Sequence, residues 1–66
     1  MKTHTVEEAK RRGLIQLTVW VGSDLTDWVL EEYKRLTSLD PTRKVMIVEY
    51  RNRFSIYVND LTDPSR

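Results

Sequence analysis

The chain has 66 residues, no cysteine, one histidine and a formal net charge of +1, with 39% hydrophobic and 32% charged residues. This composition excludes disulfides, thiolate metal sites and an imidazole-rich metal centre within one chain, and it lacks the basic excess of a bulk polyanion binder. A domain of about 60 residues buries only about 60% of its unfolded surface, so a thin core is expected to be supplemented by self-association, and a homo-oligomer, at least a dimer, is predicted.

The elements follow in chain order. In "THTVEEAKRRG", Thr5 followed three residues later by Glu8 matches a capping box. Gly13 suits the position just past a helix end, and Lys10, Arg11 and Arg12 suit a last turn. A short helix over 6–12 is predicted, with His4 a solvated terminal residue. "LIQLTVWV" alternates with period two, placing Ile15, Leu17, Val19 and Val21 on one face and Gln16, Thr18 and Trp20 on the other. After "GSD", with Ser23 or Asp24 as N-cap, the period becomes helical. Leu25, Trp28, Val29, Leu36 and Leu39 share a predicted core stripe of a helix over 24–38, which Pro41 ends.

Residues 44–59 admit two readings. Asp40 and Pro41 open a helix well, but Val45 to Val48 would wrap around it. "KVMIVEY" and "RFSIYVN" are rich in β-branched and aromatic residues, and Asn52 tolerates the positive φ of a tight turn. A two-residue hairpin at 51–52 is therefore predicted, pairing Tyr50 with Arg53, Glu49 with Phe54, Ile47 with Ile56 and Val45 with Val58. Glu49 then falls on the inner face and must reach water at the sheet's end.

The predicted fold is α+β, a single small domain over 1–66. A short N-terminal helix precedes β-α-β-β, with one main helix on a three-stranded mixed sheet whose first two strands are parallel. Residues 1–4 and 60–66 are expected to be flexible ends. The helix-free sheet face gathers Trp20, Met46, Val48, Tyr50 and Tyr57, too much apolar area for bare solvent. It is read as an interface anchored by Trp20, Met46, Tyr50 and Tyr57. The alternative is that the N-terminal helix folds over it.

The same face has a nucleic-acid reading. Aromatics could stack bases while Gln16, Thr18, Lys44, Arg51 and Arg53 supply polar contacts. "IQLTVWVGSDLTDWVLEEYKRLT" resembles the opening of a ribbon-helix-helix repressor. That resemblance implies a major-groove contact by Gln16, Thr18 and Trp20, and a second helix built from 41–54. The β-α-β-β order with "SLDPTRKVMIVEY" is similar to a tautomerase half-unit and to the dimerising domain of the division regulator MinE. Tautomerases use an N-terminal proline just before the first strand, where this chain has Gly13, so that activity is not implied.

No nucleophile elbow, Gly-rich loop or converging acid–base pair is present, so no catalytic, cofactor or metal residue is predicted. No apolar run approaches the roughly 20 residues that span a bilayer, and residues 1–10 lack the apolar core of a signal peptide. The expectation is a soluble, cytoplasmic, non-enzymatic interaction or regulatory module, a homodimer through its sheet. Binding of a further protein partner fits the same reading, and binding of nucleic acid is the second one.

Overall fold

A computed structural model describes residues 2–60; Met1 and residues 61–66, part of the expected flexible ends, lie outside it. The elements are α1 (Val6–Arg11), β1 (Ile15–Gln16), a 3-10 turn (Ser23–Leu25), α2 (Thr26–Leu39), β2 (Val45–Tyr50) and β3 (Arg53–Val58). The fold is α+β, as expected.

The sheet order is β1-β3-β2, and both ladders are antiparallel, which corrects the mixed sheet. β1 and β2 do run in the same direction, but β3 lies between them. The reason is burial. Ser55, Ile56, Tyr57 and Val58 are all buried, and a strand apolar on both faces belongs at the centre of a sheet covered on both sides.

The hairpin has the predicted register from Val45↔Val58 to Tyr50↔Arg53. Arg51 and Asn52 have φ of 51° and 62°, the pair of left-handed residues that a primed two-residue turn needs. Glu49 is exposed and accepts a hydrogen bond from the Thr3 hydroxyl at 3.2 Å. The 41–54 helix of the ribbon-helix-helix alternative is replaced by this hairpin. Asp40 instead organises a turn, accepting from the Thr42 amide at 3.1 Å and hydroxyl at 2.6 Å.

Two cores flank the sheet. On one side Val29 and Leu36 of α2 meet Ile47, Ile56 and Val58, with Leu17, Val21, Leu30, Tyr33, Val45 and Phe54 around them. On the other, Ala9 of α1 and Leu14 meet Met46, Val48 and Tyr57, with Val6 and Trp20 packed alongside. The N-terminal helix therefore does fold over the second face.

Its ends explain why. The Thr5 hydroxyl accepts from the Glu8 amide at 3.1 Å. At the C-terminus Gly13 (φ 75°) lets its own amide reach Lys10 O at 3.0 Å and the Leu14 amide reach Ala9 O at 2.9 Å. This pair of bonds is a Schellman closure. It delivers Leu14 into the core beside Ala9. His4 is not a solvated end: its amide donates to Ile47 O and its carbonyl accepts from the Glu49 amide, both at 2.9 Å. That lone parallel bridge lies on the outer edge of β2.

Two expectations for the apolar pattern need correction. The α2 stripe is rotated: Leu30 and Tyr33 pack on the core, while Leu25, Trp28 and Leu39 are 43–48% exposed. β1 also stops early. Between Gln16↔Tyr57 and Val21↔Phe54, residues 17–20 span the distance that Ser55 and Ile56 cover in β3. This wide bulge swings Val19 into solvent, 76% exposed, and breaks the expected alternation.

Candidate functional site: an aromatic ridge on the sheet

The bulge is held by hydroxyls. Thr18 Oγ1 accepts from the Ile56 amide at 3.0 Å, replacing the missing ladder bond. The Ser55 hydroxyl donates to Thr18 O at 2.6 Å, and the Gln16 side-chain amide donates to the same carbonyl at 2.8 Å. With Thr18 folded inward and Val19 turned out to solvent, Trp20 lies back across the α1 side of the sheet.

Trp20 meets two tyrosines there. Its ring centroid is 5.9 Å from that of Tyr50 and 6.2 Å from that of Tyr57, both tilted. Such spacings are attractive for aromatic pairs beyond the area they bury. Arg51 completes the row, its guanidinium carbon 5.2 Å from the Tyr50 ring centroid. The result is a ridge, Tyr57–Trp20–Tyr50–Arg51, which emerges from under α1 at one end and reaches the hairpin tip at the other.

Shallow grooves flank it. One, of about 400 Å³, is lined by Trp20, Tyr50, Arg51 and Arg53. The other, of about 540 Å³, is lined by Val6, Glu7, Lys10, Gln16, Trp20, Tyr50 and Tyr57.

The four expected interface residues are thus adjacent but unequal. Met46 and Tyr57 are 6% exposed, covered by α1 of the same chain, whereas Tyr50 is 49% exposed and Trp20 half-buried. Of the expected polar contacts, Gln16, Arg51 and Arg53 border the ridge. Thr18 is committed to the bulge. Lys44 precedes β2 at the opposite end from Tyr50, about 20 Å away at about 3.3 Å per residue, and its amide donates to the Asn59 side chain at 3.3 Å. Lys10 reaches the ridge only through the docking of α1, which no local feature of its sequence signals.

Among the described residues, no three histidine, aspartate or glutamate side chains converge where a metal could sit. No helix among them is long and apolar enough to cross a membrane. No family model, curated protein or solved structure matches this chain.

Proposed function

We propose that the chain is a small, non-enzymatic interaction module that engages a protein partner through the Trp20–Tyr50–Arg51 ridge. The observation that carries this reading is the half-exposed Tyr50 at the end of β2, with the tilted Trp20 ring and the Arg51 guanidinium beside it. Trp, Tyr and Arg dominate interface energies because each buries a large area with few rotatable bonds or a fixed donor fork. Side chains that pack on one another in the free chain cost less to order on binding.

A second reading, single-stranded nucleic acid, is favoured by the cations on both sides of the ridge, Arg51 and Arg53 on one and Lys10 on the other. Immobilised wild-type chain and a Trp20→Ser/Tyr50→Ser variant separate the two. A polypeptide retained by the first and lost by the second supports the proposal. Binding of oligothymidine that weakens steeply with salt would transfer support to the second reading. Identical retention by both chains would remove the ridge from either.

A further inference from the structure

The two flanks of α2 differ. Val29 and Leu36 point at the sheet, and Tyr33 with Leu30 or Thr37 lines the grooves beside Val45 and Met46. At 100° per residue the opposite flank presents Trp28, Glu32, Arg35 and Leu39 in one narrow stripe. Trp28 is 43% and Leu39 48% exposed. Between them Glu32 and Arg35 form an ion pair, Nη2 to Oε2 3.1 Å and Nε to Oε1 3.3 Å, with the arginine side chain 47% exposed.

The order of this stripe is symmetric. Positions 28 and 39, and positions 32 and 35, are equidistant from the midpoint between 33 and 34. An antiparallel copy of the same helix, related by a two-fold axis at that midpoint, sets Trp28 against Leu39 of the second copy and Glu32 against its Arg35. The apolar ends match each other and the charged centre is complementary to itself, as an isologous interface requires. The 4-3-4 spacing is also the seam that packs helices at a shallow angle of about 20°.

We propose that two copies of this chain associate through this flank of α2, antiparallel, with Trp28 seated on Leu39 of the second copy and the two Glu32–Arg35 pairs merged into one four-residue network. The ridge lies on the opposite side of the sheet, so both ridges stay accessible in the dimer. The contact is small by the standards of permanent complexes, so association belongs at micromolar rather than nanomolar concentration.

Sedimentation equilibrium of three chains tests this. Glu32→Arg carries two arginines at the centre and Arg35→Glu two glutamates, so each alone should dimerise at least about tenfold more weakly than wild type. Mixed in equal amounts, they should form a heterodimer close to wild-type affinity. An ion pair confined to one chain cannot produce that rescue.

A second measurement needs no substitution. Trp28 and Leu39 are about 16 Å apart along one helix, so any nuclear Overhauser contact between their side chains comes from two copies. Lys34→Ala, exposed on the same helix but off the stripe, serves as a control that should leave the dimer unchanged. A wild-type chain that stays monomeric to about millimolar concentration, or a dimer indifferent to both charge reversals, overturns the proposal.

Discussion

Asn52 and Arg51 both sit at positive φ, a conformation that costs a non-glycine residue stability but that the twist of the hairpin demands. Asn52→Gly is therefore expected to be neutral or mildly stabilising, and Asn52→Val to cost about 1 kcal/mol or more, read as a shift in urea midpoint. Gly13 differs in kind. A methyl group there meets nothing within 4 Å, so Gly13→Ala should cost only the backbone strain, about 1 kcal/mol. Thr18 is the residue whose role was least legible. In the sequence it is one polar member of an alternating strand, and only the bulge shows that its hydroxyl serves the buried Ile56 amide. Thr18→Val keeps the shape and strands that amide, so a loss of about 1–3 kcal/mol is expected in chemical denaturation.

At the level of elements, the hairpin and α1 were readable because their signals are local. A turn-compatible Asn52 between two β-rich runs fixes a register, and Thr5, Glu8 and Gly13 mark the ends of a helix. What could not be read was decided across the chain. The central place of β3 depends on burial from both faces. The rotation of α2 depends on Tyr33 filling the space above β2, which no periodicity reveals. The fate of the aromatic face turned on whether six residues with few apolar side chains would dock, and the core contacts of Ala9 and Leu14 settle that.

The Asp40 turn offers a pH test at this scale. Hydrogen bonds from Thr42, helped by the Arg43 charge, hold the Asp40 carboxyl below its usual range. A depressed folded-state value means that this contribution is present above the ordinary aspartate range and is lost as pH falls through the lowered value. The stability gap between wild type and Asp40→Asn should therefore narrow on acidification through that window, in urea titrations at stepped pH.

For the whole molecule, a three-stranded sheet sandwiched by two helices gives each face its own thin core, and the two should fail separately. Removing residues 2–12 strips the cover from Met46, Val48 and Tyr57 while leaving the α2 core intact. In a Trp28→Phe background, Trp20 emission should shift to the red on that deletion, with little loss of helical signal from α2. Unchanged emission would mean that Trp20 is covered by something other than α1.

The bridge made by His4 has a bearing on how the protein survives at high concentration. "VMIVEY" is a six-residue run of high β-propensity with a single charge, the kind of segment that templates cross-β stacking when its edge is open. The backbone of His4 occupies Ile47 O and the Glu49 amide along that edge, and on the far side of the sheet the short β1 and its bulge offer little regular ladder to extend. The first few residues thus cover part of the edge along which a further strand would add. A chain lacking residues 2–4 should nucleate thioflavin-positive fibrils at concentrations where the intact chain stays clear, even if its melting temperature is scarcely altered.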